Sequence, residues 1–108
     1  MKIKDLLCDG ISAVLLSDPE REIEGVYIGD LLSWVMGRAS SGNAWITIMN
    51  NVNVLAVATL VDVSCVILAE GVSLDQDVLE TARAKEINIL STELPLYEAA
   101  LLLSDKLK

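Results

Sequence analysis

Histidine is absent from this sequence. With it go imidazole general bases, Ser-His and Cys-His nucleophilic pairs, and the commonest metal ligand. The thiols are Cys8 and Cys65, far apart and with no Cys-x-x-Cys clamp for zinc or an iron–sulfur cluster. Cys65 lies inside the apolar run Ser64 to Ala69, where a thiol packs as a small hydrophobe. No cofactor and no metal is expected. Carboxylates are the remaining acid/base option, and Glu20, Glu22 and Glu24 are grouped. Glu22 and Glu24, alternating with Ile23, share one wet strand face, whereas a catalytic pair needs partial burial to separate its pKa values. No Gly-x-Gly-x-x-Gly or Walker-type loop occurs. No catalytic residue is nominated, and the chain is expected not to be an enzyme. Sixteen acidic residues against eight basic ones give a net charge of −8, which repels phosphate backbones and anionic lipid, so nucleic acid and membrane are excluded as partners. Trp34 and Trp45 lack an accompanying basic cluster and read as packing residues rather than base-stacking platforms.

These residues must be positioned by one domain, since 108 residues is the ordinary size of one. An apolar content of 53% excludes disorder. The longest unbroken apolar stretch is far shorter than a bilayer span, and the segment from Met1 to Asp5 has no leader character, so a cytoplasmic location is expected. A helical turn around Lys4 to Cys8 precedes a strand over Ser12–Ser17, closed by Asp18-Pro19. Alternation over Glu22–Ile28 predicts a second strand. Gly29-Asp30 breaks it, with Asp30 as N-cap of a helix carrying Leu31, Leu32, Trp34, Val35 and Met36. Ala44–Met49 is a strand, Asn50 to Asn53 offers caps, and Val54–Val61 follows as helix. Cys65–Ala69 has the continuous apolar character of a strand buried on both faces. Ser73 and Gln76 form a capping box for a helix over Leu74–Lys85, with Val78, Leu79 and Ala82 inward. Asn88–Ser91 is a last strand, and Pro95 starts a closing helix with Leu96, Ala99, Ala100 and Leu103 on one face. The alternation predicts an α/β fold: a small parallel, or mostly parallel, sheet with helices packed on its faces.

In such sheets ligands sit beyond the carboxyl ends of the strands. Those ends supply six candidate ligand residues: Asp30, Asn50, Asn51, Glu70, Gly71 and Thr92. The rim has almost no positive charge, and Glu70 and Glu93 oppose a phosphate. The apolar surplus in a short chain predicts a homodimer, with Leu31, Trp34 and Val35 as candidate interface residues.

The order of segments is itself distinctive. Glu-x-x-Gly-Val-Tyr-Ile-Gly-Asp-Leu-Leu-Ser is followed by a Trp-Ile-Thr strand, an Asn-rich turn and an apolar helix, Val-Ile-Leu-Ala-Glu-Gly-Val, Ile-Asn-Ile-Leu-Ser-Thr and Tyr-Glu-Ala-Ala. Over Lys4 to Leu107 this resembles the DRTGG domain, itself similar to the N-terminal domain of HPr kinase/phosphorylase. Domains of this family occur inside phosphotransacetylases and CBS-containing pyrophosphatases, and alone beside iron-only hydrogenase genes. The resemblance implies a non-catalytic regulatory or assembly module, commonly dimeric, with a protein partner such as a hydrogenase-system component. The alternative is a small-metabolite or nucleotide sensor binding at the strand ends. Asn50 and Asn51 stand where the family has Asp-Arg, and Ala69-Glu70-Gly71 where it has Thr-Gly-Gly.

Overall fold

The computed structural model describes residues 1–108. A 3-10 turn at Ile3–Leu6 leads into strands β1 (Ser12–Leu15) and β2 (Val26–Ile28). Then alternate α1 (Leu32–Arg38), β3 (Ala44–Thr47), α2 (Val52–Val61), β4 (Cys65–Leu68), α3 (Gln76–Ala84), β5 (Ile89–Ser91) and α4 (Leu96–Lys106). The sheet has the order β1-β5-β4-β3-β2. β2 through β5 are parallel, and β1 runs antiparallel along the free side of β5, with a register shift between Ala13 and Leu15. The expected mostly parallel sheet is therefore the observed one.

Successive crossovers step one strand at a time in one direction, which leaves their helices on the same face. Trp45, Val66, Leu68 and Ile89 point to that face and pack with Val35 of α1, Val54, Leu55 and Ala58 of α2, and Val78 and Ala82 of α3. Ala44, Ile46, Cys65, Ile67 and Leu90 point the other way, onto Ala99 and Leu103 of α4 and onto Ile3, Leu6, Ile11 and Ile23 of the N-terminal segment. Every residue of β3 and β4 is buried, which is why these strands lack alternation.

Several local expectations are corrected. The second strand is confined to Val26–Ile28: Gly25 adopts φ 118, a value that breaks extended geometry and favours glycine, so Glu24 and Gly25 keep single bonds to Gly42 and Ala44 while Glu22 bridges Lys2 instead. The proposed capping box does not form: α3 starts at Gln76 behind Asp75, with no side-chain cap. The carbonyl of Ser73 instead accepts a hydrogen bond from Asn50 Nδ2 at 2.9 Å, and Leu74 is packed against the core. That segment is held in loop geometry by contacts distant in sequence. Val35, expected at an interface, is 0% exposed. It is the inward residue of α1, and the outer surface belongs to its neighbours.

Candidate functional site

The carboxyl ends of β4 and β5 are continued by a pinned turn. After β4, the Ala69 N–H donates to Thr47 O at 3.0 Å, Glu70 N–H to Leu94 O at 2.9 Å, Gly71 N–H to Thr92 O at 3.0 Å and Val72 N–H to Ala69 O at 3.1 Å. The turn bends through two successive left-handed residues, Glu70 at φ 58 and Gly71 at φ 72. The first is a conformation that non-glycine residues seldom adopt. The second suits glycine by its φ, and the Glu93 carboxylate lies over it where a Cβ would make that side chain move.

β1 brings a third wall. Running antiparallel to β5, it places its start beside the end of β5, with Ser12 paired to Ser91. Between this strand start, the 71–74 loop and the 91–94 loop lies a cavity of about 450 Å³, within the range of small-molecule sites. Val14, Val72, Leu74, Leu79 and Leu94 supply its apolar walls, and its charged residues are Asp9 and Glu93. Thr92 is 4% exposed, and its Oγ1 accepts from the Leu94 N–H at 3.1 Å.

Gly71 and Thr92, of the six rim residues read from the sequence, line this cavity. Glu70 is beside it, exposed on the turn. Asn50 reaches the same loop through its bond to the Ser73 carbonyl. Asn51 is the N-cap of α2, accepting from Asn53 N–H at 2.9 Å. Asp30 lies at the β3 end, where one carboxylate oxygen accepts from the Thr47 hydroxyl at 2.6 Å and from the Ile48 N–H at 2.9 Å. It does not cap α1, whose N-cap is Leu31. Two donors at the end of a buried strand have claimed the carboxylate, a stronger demand than a solvent-facing helix start. Sequence reasoning missed Asp9, Ser12 and Ser73 as cavity residues. The signal available was the short turn before β1, and it is informative only once β1 is known to lie beside β5.

The opposite end of the sheet has a smaller cavity of about 290 Å³ bordered by Arg21, Asp62 and Asn88. There Arg21 is already engaged by Asp62 at 3.1 Å, and Asn88 bridges Asp18 and Ser64 through its amide. Its polar groups tie loops together. No three of the Cys, Asp and Glu side chains are grouped to hold a metal ion, and no helix is long and apolar enough to cross a membrane.

The outer side of α1 is a different kind of surface. Leu31 is 58% exposed, Trp34 52% and Met36 50%. The Arg38 guanidinium stacks over the Trp34 ring, 3.7 Å from its centroid, a cation–π contact that fixes the indole in place. Trp45, by contrast, is fully buried and donates its indole N–H to Gly29 O at 2.9 Å.

Comparison with known proteins agrees with this architecture. Among curated proteins none matches the chain. Among solved structures, it is similar to the crystal structure of the CBS and DRTGG domains of the regulatory region of Clostridium perfringens pyrophosphatase, complexed with its activator diadenosine tetraphosphate. The TM-score is 0.70 at 17% identity, over 89% of this chain and 42% of that one, so this chain spans less than half the length of its structural neighbour. At that identity the likeness speaks for the fold. Sequence comparison goes further: residues 7–105 match the DRTGG domain, and the chain is a member of the DRTGG domain family.

Proposed function

We propose that this chain is a non-catalytic, cytoplasmic regulatory module that works through protein association: with a second copy of itself, and with a metabolic or redox enzyme, an iron-only hydrogenase-system component among the candidates. The observation that carries this reading is the outer face of α1. Leu31, Trp34 and Met36 leave half or more of their surface in water, although a buried aromatic anchor is the most productive residue an interface can have. The ordered Trp34 ring loses little further side-chain freedom on docking. The test is sedimentation velocity at micromolar concentration. The chain is expected at twice its 11.7 kDa mass, and Trp34→Glu at the single-chain mass with an unchanged melting temperature. A wild-type mass of one chain at all concentrations would overturn self-association.

A second reading is favoured by the cavity at the ends of β4 and β5. Its volume, its apolar walls and its position at the strand ends suit a small-ligand sensor. The pyrophosphatase region binds a nucleotide activator. In this chain, with Glu93 on the rim and no basic residue lining the cavity, polyphosphate recognition is disfavoured.

A further inference from the structure

We infer that this cavity takes an organic cation with a small apolar body, an amine or guanidine, rather than a nucleotide or any other anion. The inference rests on the ligand-sensing reading and specifies its ligand class. Asp9 and Glu93 both line the cavity, and no lysine or arginine does. The ion pairs of the chain use Glu20, Glu22, Asp62 and Asp105 as acids, so neither cavity carboxylate is neutralised. The Glu93 carboxylate lies over Gly71, the glycine that opens the 71–74 wall of the cavity. Hydrogen-bonding capacity is in reserve as well. The buried Thr92 hydroxyl accepts from the Leu94 N–H but donates to no protein acceptor, and a hydroxyl rotor at a cavity wall can donate to a ligand. The five apolar side chains give the body of the ligand a surface to bury against.

The experiment is a two-dimensional amide NMR titration of the whole chain with phenethylamine, a cation at pH 7, and with 3-phenylpropionate, a matched anion, with ATP as a third probe. Phenethylammonium is expected to shift the amides of Gly10, Gly71, Val72 and Leu94 saturably, while the anions leave them unmoved. Asp9→Asn and Glu93→Gln are each expected to weaken the cation about fivefold, the attraction of one unit charge at contact distance in water. Both residues are exposed, and unchanged spectra elsewhere would establish that the variants are folded. Raising the salt to half molar should weaken the cation in the wild type, a readout independent of any substitution. Tighter binding of 3-phenylpropionate or ATP at the same amides would overturn the cation assignment and leave the sensing reading standing. If no probe moves those amides, both fall.

Discussion

The turn after β4 holds a non-glycine residue in a glycine conformation, and that fixes a measurable quantity. Glu70 sits at φ 58, where an L-residue is disfavoured by about 1–2 kcal/mol relative to the right-handed region. Its side chain is exposed and enters none of the chain's ion pairs, so little is lost with it. Its N–H bond to Leu94 O at 2.9 Å belongs to the backbone and survives substitution. Glu70→Gly removes the steric cost but gives the unfolded chain more freedom, worth about 0.5–1 kcal/mol against folding. The expected net gain is about 0.5–1 kcal/mol, or about 2–6 °C in Tm for a domain near this size. Removing one carboxylate from a chain of net charge −8 could itself stabilise, so the reference is Glu70→Ala, which deletes the same charge and keeps a Cβ. Urea unfolding of both variants separates the two effects. The backbone argument requires Glu70→Gly to exceed Glu70→Ala by the full increment. Equal midpoints, with both above wild type, would show that charge relief alone was at work and that the left-handed turn carries no stored cost.

Two further outcomes follow from the titratable groups. Burial pushes the Cys65 thiol up to about 12 while Cys8 is exposed, so a thiol-reactive disulfide reagent at pH 8 should label one cysteine per native chain and two after unfolding; rapid labelling of both in the native state would show that the sheet opens at Cys65. Hydrogen bonds from Lys2 and Lys4, at 2.7 and 2.8 Å, draw Glu20 down from 4.5 to about 2. Its folded pKa lies below its unfolded one, so its contribution is fully present above about pH 4.5 and is lost as the pH falls toward 2. Glu20 is a surface residue, so the effect should be small and weakened by salt. Acid unfolding followed by circular dichroism should show Glu20→Gln less stable than wild type above that window and equal to it at the bottom. Parallel curves would remove Glu20 from the account of the N-terminal tether.

What could be read from residues in a row was the skeleton. The uninterrupted apolar run Cys65 to Ala69 announces a strand covered on both sides, and the asparagines of Asn50 to Asn53 announce the start of α2, although which of them caps it is not legible: Asn51 does, and the helix begins at Val52 rather than at the expected Val54. What could not be read depends on residues meeting across the fold. Asp30 follows a glycine and precedes an apolar helix, a legible N-cap pattern, yet its oxygen is bonded to Thr47, the last residue of the neighbouring strand, and to Ile48 just beyond it. Val35 and Trp34 are adjacent apolar residues on α1. Which of the two directions faces the core is set by where β3 and α2 lie: Val35 joins Trp45, Val54 and Leu55, and Trp34 is left outside. The sequence places the rim along the ends of four parallel strands, whereas the cavity is built from two of them and the start of the antiparallel β1. A strand that enters the sheet at its far edge leaves no local mark of which end it will border.

The departures from the family's namesake residues are coupled to local structure in opposite senses. At Glu70 the backbone keeps the glycine geometry while the residue has changed, so the turn and its bonds to Thr92 and Leu94 persist under some strain. At Asn51, where the family pattern places arginine, the side chain holds the first turn of α2, a cap worth about 1 kcal/mol. Asn50, where the pattern places aspartate, holds the 71–74 loop that walls the cavity. Restoring arginine at 51 would therefore sacrifice a cap, and restoring glycine at 70 would recover about as much from the turn, so the two changes together nearly cancel in stability. What they would not cancel is charge: the first adds a cation near a rim that has none lining its cavity, and the second removes an anion beside it. The fold can accommodate either set of residues at similar stability, and the substitutions weigh on which sign of ligand the strand ends favour.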